Sequence, residues 1–168
     1  MSDFKDYFSA QSAGYAKFRP TYPEELFVWI ADVAPRTARV WDCATGNGQA
    51  AAALANHFDR VDATDASADQ IARAHEVDRV HFAVGSAEAS GLPADAFDAI
   101  TVATAYHWFD HAAFAREARR VGLDDAVVIV WTYSTADLPP AARAVVTDII
   151  ENDLATYFPP ELSAVWKG

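Results

Sequence analysis

A chain of 168 residues, 52% apolar and 12% aromatic, has the length of one domain and enough core-forming material to exclude a disordered polypeptide. Thirteen Lys and Arg are scattered among 24 Asp and Glu, and the formal charge of −11 argues against a nucleic-acid partner, since phosphate binding needs a basic surface. The single cysteine, Cys43, excludes an intramolecular disulfide, no apolar run reaches membrane-spanning length, and Met1-Ser-Asp-Phe-Lys-Asp6 lacks the regions of a signal peptide, so a soluble cytoplasmic protein without membrane contact is expected.

The opening segment to Pro20 is polar and aromatic. Thr21-Tyr-Pro-Glu24 then predicts a capping box with proline in the first turn, opening a helix with Leu26, Phe27, Ile30 and Val33 on one face and Trp29 beside it. Arg39-Val-Trp41 predicts a first strand, and an alanine-rich helix runs from Gln49 to about His57. Arg60–Asp65 reads as a second strand, and Ser67 with Gln70 caps a helix through His75. Arg79–Val84 is a third strand, Gly85–Glu88 a turn and Phe97–Ala103 a fourth strand. Asp110 caps a helix with Phe114, Ala118 and Val121 inward and Arg116, Arg119 and Arg120 outward, and Gly122 stops it. Ala126–Trp131 is an almost wholly apolar fifth strand. A last helix, about Pro140 to Thr156, is expected to bury Ala142, Val145, Val146 and Ile149. This alternation predicts an α/β fold: a doubly wound, mostly parallel Rossmann-like sheet of about five strands flanked by helices. In such sheets ligands sit at the carboxyl ends of the strands, beside the point where strand order reverses.

The segment Val40-Trp-Asp-Cys-Ala-Thr-Gly-Asn-Gly-Gln49 is an apolar strand end, an acid, a glycine loop and a helix start. Glycines let backbone approach a ligand and take positive φ, which makes the segment a nucleotide cradle; a tight strand-to-helix turn is the alternative. Two cofactors compete for it. Gly46-x-Gly48-x-x-Ala51, with Asp65 19 positions after Gly46, satisfies a dinucleotide fingerprint and points to NAD. Asp42, four residues before Gly46, turns the reading toward S-adenosylmethionine (SAM), whose ammonium and sulfonium groups suit an acid that would repel a pyrophosphate.

With Tyr15-Ala-Lys-Phe-Arg19-Pro20-Thr-Tyr22-Pro23, the glycine loop, Ala63-Thr-Asp65-Ala-Ser67, Gly85-Ser-Ala-Glu88 and Ala105-Tyr-His107-Trp108-Phe109-Asp110, the chain resembles the class I SAM-dependent methyltransferases, in the branch that includes trans-aconitate methyltransferase. The His-Trp-Phe-Asp tetrapeptide is the branch-specific part. The resemblance implies that Asp42 and the backbone of Ala44, Thr45, Gly46 and Gly48 hold the methionine end of SAM. It also implies that Asp65 takes the ribose hydroxyls and that Ser86, Ala87 and Glu88 border the adenine. Ala66, Ala103 and Thr104 complete the cofactor-binding set, and Tyr15 and Arg19 belong to a segment folding over the cofactor, Arg19 toward its carboxylate. On this reading residues 1–168 are one domain: 1–35 cover the cofactor, 36–135 form the core and 136–168 a C-terminal helix and tail.

Two departures from the family pattern carry expectations. Ala44 replaces a glycine, which an alanine tolerates only at negative φ, so negative φ and a small effect on affinity are expected there. The family's sheet ends in an antiparallel hairpin, and the chain stops at Gly168 before any such hairpin. An open apolar fifth strand is therefore expected, and with it a homodimer through edge pairing or strand exchange.

The resemblance further implies a small-molecule substrate with a carboxylate oxygen as nucleophile, which is ionised near neutral pH and needs no general base. Tyr106, His107, Trp108 and Phe109 supply the substrate wall. His107 reads as a brace for its loop, with hydrogen bonding to substrate or base catalysis as the functional alternative. His107 and His111 mimic an i, i+4 metal pair, but Asp110 caps the helix and separates them, so no metal is expected. Asp65 has the alternative of merely ending a strand, Glu88 of a solvated carboxylate, and Tyr15 with Arg19 of a capping pair. Tyr157, Phe158 and Trp166 read as packing or interface, and Cys43 as a small buried residue. Two other functions stay open: a SAM-binding or interaction module of the same fold without activity, and an NAD-dependent oxidoreductase.

Overall fold

The computed structural model describes residues 22–132, 138–149 and 152. Helix α1 (Glu24–Val33) precedes β1 (Arg39–Cys43), α2 (Gln49–Leu54), β2 (Arg60–Asp65), α3 (Ala68–Ala72), β3 (Val80–Val84) and β4 (Phe97–Ala103). A 3-10 turn (Tyr106–Trp108), α4 (His111–Val121), β5 (Gly122–Trp131) and α5 (Pro140–Asp148) follow. The strands pair in the order β3-β2-β1-β4-β5, all parallel. Parallel neighbours need crossovers, and α2, α3 and α4 provide three of them. Residues 85–96, which carry no helix, take the chain from β3 across to β4. The doubly wound architecture read from the sequence is the architecture found.

The centre of the sheet is covered on both faces, which is why β1 and β4 are buried almost end to end. Side chains alternate along β1, so Val40 joins Phe27 and Ile30 of α1 and Ala50, Ala51 and Leu54 of α2 on one face. Trp41 and Cys43 join Phe114, Ala118 and Val121 of α4 on the other. The amino ends of the strands are fastened by ions. Asp62 accepts from Arg39 Nε at 2.7 Å and Arg60 Nη2 at 2.8 Å, and Arg36 bridges Asp98 and Asp125, each at 2.8 Å. These anchors sit opposite the end that carries the glycine loop.

Helix starts follow the expected chemistry at two places. Ser67 Oγ accepts from Gln70 N at 3.3 Å, and Asp110 Oδ1 accepts from Ala113 N at 3.0 Å. Helix α1 differs: Pro23 is its N-cap with no side-chain cap, and Glu24 and Glu25 instead face the positive end of the helix dipole. Thr21 of the expected capping box lies outside the described residues. Helix α4 does stop at Gly122, but at φ −71° rather than in a left-handed turn; a Cβ there would lie 3.0 Å from Ala118 O and from Ala126 Cβ. Close packing is what demands that glycine.

Other boundaries shift. Helix α2 ends at Leu54, where Asn56 N and His57 N close a tight turn onto Ala53 O and Leu54 O. Strand β5 begins at Gly122, and its register on β4 slips between Phe97 and Ala99, where Asp124 and Asp125 face solvent. The expected burial of α5 is not found: Ala142, Val145 and Ile149 are exposed and Val146 is half-buried. Its apolar stripe meets no covering element among the described residues, and periodicity alone cannot create a partner. Among the described residues strand β5 lies at the edge of the sheet, with Val128 and Val130 exposed. Among the described residues no helix is long and apolar enough to cross a membrane.

Candidate functional site

Strand β1 is followed in sequence by β2 on one side of the sheet and is flanked by β4 on the other, so its carboxyl end is where strand order reverses. The chain leaves it through Ala44–Gly48 into α2. Thr45 N donates to Thr64 O at 3.0 Å and Gly48 N to Thr45 O at 3.1 Å. Asp65, at the carboxyl end of β2, ties this loop down: Oδ2 accepts from Gly46 N and Oδ1 from Ser67 N, both at 2.8 Å. Gly48 has φ +90°, and a Cβ on it would lie 2.7 Å from the Phe82 ring. A side chain there must displace an aromatic group and strain the backbone as well.

Ala44 corrects the sequence reading. Its φ is 56°, in the left-handed region, where negative φ was expected. The loop needs the conformation a glycine adopts freely, and the alanine holds it at a cost of about 1 kcal/mol. Thr104, the residue after β4, also has φ 56°, which is harder still for a β-branched side chain. Two non-glycine residues in left-handed backbone thus flank one end of the sheet.

Asp42 is fully buried in the centre of this end. Thr45 Oγ1 donates to Oδ2 at 2.5 Å and Thr101 Oγ1 to Oδ1 at 2.9 Å, linking loop, β1 and β4 through one carboxylate. Burial pushes its pKa up to about 6, partly offset by the two hydroxyl donors, while the charge of Asp65 adds to the rise. The resemblance implied that Asp42, with the backbone of the loop, holds the cofactor's methionine end. What its oxygens hold in this structure is the loop.

Beside the loop lies a small, narrow recess lined by Tyr22, Ala44, Thr45, Gln49, Ala50 and Ala103. Tyr22 Oη lies 3.4 Å from Thr104 Oγ1 and its ring meets Trp131 edge-on at 5.5 Å, while Thr104 N donates to Trp131 O at 2.8 Å. Among the described residues Gln49 Oε1, His107 Nε2 and Trp131 Nε1 are buried without a hydrogen-bond partner. A buried polar atom left unpaired costs about 1–3 kcal/mol, and all three lie toward one end of the sheet.

The remaining sequence candidates fall into two groups. Ala66 is half-buried beside Asp65, and Ala87 is buried in the second core cluster. Ser86 Oγ accepts from Ala89 N at 3.0 Å, and Glu88 Oε1 accepts from Asp110 N at 3.2 Å, tying the turn after β3 to the start of α4. Of the expected aromatic wall, Tyr106 and Phe109 pack on Phe114, and Tyr106 stacks on His111 at 4.3 Å. His107 and Trp108 are half-buried with rings tilted at 4.8 Å. His107 was read as bracing its loop through backbone hydrogen bonds, but its Nε2 has no such partner, and burial lowers its pKa. His111 Nε2 lies 3.1 Å from Tyr106 O. Cys43 is buried as expected, and burial raises its thiol pKa. Tyr15 and Arg19 lie outside the described residues, as do Tyr157, Phe158 and Trp166.

The structure thus brings Asp42, Ala44, Thr45, Gly46, Gly48, Asp65, Ala103 and Thr104 to one end of the sheet. Sequence reasoning passed over Gln49 and Trp131. Both occupy places that should have drawn notice, the last position of the glycine loop and the carboxyl end of a strand.

Two variants test these geometries. Ala44→Gly relieves the left-handed alanine and is expected to raise stability by about 1 kcal/mol, read as a higher urea midpoint. An unchanged or lower midpoint refutes the strain. Asp42, with its folded pKa near 6 above the unfolded value of 3.8, contributes stability that is complete below pH 4 and is lost as pH rises to 6. Compared with Asp42→Asn, the wild type should lose about 3 kcal/mol across that window, the other titrations cancelling in the difference. Parallel stability curves for the two proteins contradict the buried carboxylate.

Comparison with known proteins gives this geometry its context. A family profile described as a methyltransferase domain matches residues 41–130. A protein of Dictyostelium discoideum named as a methyltransferase is 36% identical over 131 residues, which cover 77% of this chain and 50% of the relative. A solved structure from Anaeromyxobacter dehalogenans, named as a type II methyltransferase, is 42% identical with a TM-score of 0.75, covering 85% of this chain and 61% of that one. A structure from Methanococcus maripaludis, named as an S-adenosyl-L-methionine-dependent methyltransferase, is 21% identical with a TM-score of 0.67, covering 94% and 78%; it speaks for the fold alone. The chain spans about half the length of the curated relative and three-fifths of the Anaeromyxobacter chain. The profile match, the glycine loop at the reversal point and the parallel sheet agree: the chain belongs to the methyltransferase-domain family, the class I SAM-dependent methyltransferases.

Proposed function

We propose that this chain binds SAM across the carboxyl ends of β1, β2 and β4 and directs its methyl group to a small-molecule acceptor, a carboxylate oxygen, in the manner of the trans-aconitate methyltransferase branch. The observation that carries the reading is the glycine loop at the strand reversal, clamped by the Asp65 carboxylate on Gly46 N–H. The residues present fit the cofactor. Ala44, Thr45, Gly46 and Gly48 offer backbone in conformations that admit close approach, Asp65 and Ala66 stand where ribose hydroxyls need acceptors, and Ser86, Ala87 and Glu88 border the place for the base. Ala103 and Thr104 close the opposite side, Asp42 positions Thr45, and Tyr15 with Arg19 belong to the covering segment. SAM supplies an electrophilic methyl on a sulfonium cation.

The chain's own work is alignment and exclusion of water. An acceptor carboxylate arrives ionised, so no residue has to remove a proton. His107, whose pKa burial lowers, presents an imidazole that can donate a hydrogen bond to such an acceptor, and Tyr106, Trp108 and Phe109 form an apolar wall where two opposite charges annihilate favourably. We also place the protein in the cytoplasm and pair two copies through the edge of β5, an outermost strand of the sheet among the described residues.

Titration with S-adenosylhomocysteine (SAH) should raise the thermal midpoint with concentration, and NAD should not. Absence of a shift with SAH overturns the site, and Asp65→Ala should weaken SAH binding sharply. Labelled SAM with a panel of small carboxylic acids should yield labelled methyl esters; binding without transfer supports instead a cofactor-binding module of the same fold. Light scattering at micromolar concentration should give the mass of a dimer, and a monomer mass rejects the edge pairing.

A further inference from the structure

The geometry points to the Gln49 side-chain oxygen as the acceptor for the ammonium group of the cofactor's amino-acid end, in place of Asp42; this rests on the SAM reading of the same site. The acid that the sequence offered for that role is closed off. Asp42 is fully buried, unlike the half-buried Asp65, and its oxygens face inward to Thr45 Oγ1 at 2.5 Å and Thr101 Oγ1 at 2.9 Å. Gln49, by contrast, lines the recess next to the loop residues Ala44 and Thr45, and its Oε1 is buried with no hydrogen-bond partner among the described residues.

An acceptor that water does not reach is already desolvated, so a donor that arrives there meets no competing bond. The surroundings select a cation. None of the residues lining the recess is basic, and the Asp42 carboxylate lies behind its Thr45 wall, close enough to Asp65 for each charge to disfavour the other. A positive group in the recess relieves that repulsion, and a hydrogen bond between an ammonium and a neutral amide oxygen adds direction to it. Asp42 and Gln49 then divide one task. Asp42 shapes the loop from behind through Thr45, and Gln49 touches the ligand.

The test compares SAH with the analogue of SAH that lacks the α-amino group, by calorimetry on the full chain. Wild type should prefer SAH by about 10-fold or more, the usual range for a hydrogen bond to a charged group. Gln49→Leu should lose that factor on SAH, bind the deaminated analogue as wild type does, and so show no preference. Gln49→Glu, which has acceptors only, should keep the preference. A Gln49→Leu protein that retains the full preference overturns the assignment. Loss of both ligands by Gln49→Leu also overturns it, since the side chain then shapes the loop instead of reading the ammonium. Equal affinity of wild type for the two ligands rejects the ammonium contact and leaves the SAM site standing; binding of neither rejects the SAM reading itself.

Discussion

One carboxylate holds the functional end of this molecule together. Asp42 is buried in the central strand of a parallel sheet, where a charge is tolerated only because two hydroxyls are aimed at it. Thr45 comes from the loop and Thr101 from the neighbouring strand β4, so satisfying the charge also sets where the loop leaves the sheet. Asp65 repeats the device at β2, with Gly46 N–H and Ser67 N–H on its two oxygens. Between them the two acids fix the loop from β1 and from its neighbour β2.

The two ends of the sheet answer different demands. At the amino ends Asp62, Asp98 and Asp125 are met by Arg36, Arg39 and Arg60, and Trp41 Nε1 finds Thr64 Oγ1 at 2.9 Å within the core. At the carboxyl ends Ala44 and Thr104 sit in left-handed backbone, and Gln49, His107 and Trp131 keep buried polar atoms without partners. Left-handed non-glycine backbone occurs at both ends, with Arg79 and Asp95 just before β3 and β4, so what distinguishes the carboxyl end is its buried polar atoms without partners.

The fold was legible because its signals are local and repeated. Period-two apolar runs separated by capped helical stretches define βαβ units, and Ser67 and Asp110 act as the caps their side chains can form. The site was legible where it depends on backbone: glycines at 46 and 48, and an acid at the end of the next strand. It was less so where function depends on which way a buried side chain is satisfied. Asp42 reads from the sequence as a ligand for a cation, and only the positions of Thr45 and Thr101 turn it inward. The apolar stripe of α5 reads as buried, yet whether it is covered depends on elements far away in the chain.

What the sequence determined by itself is the order of strands and helices, the glycine loop and the family these imply, since each follows from the chemistry of residues close together in the chain. The tertiary structure decided the rest. It put Ala44 into a left-handed conformation, sealed Asp42 with hydroxyls from two different elements, and left Gln49 beside the recess with an unspent acceptor. The reason is physical: the state of a buried polar group is set by partners that fold against it, and no local pattern names those partners.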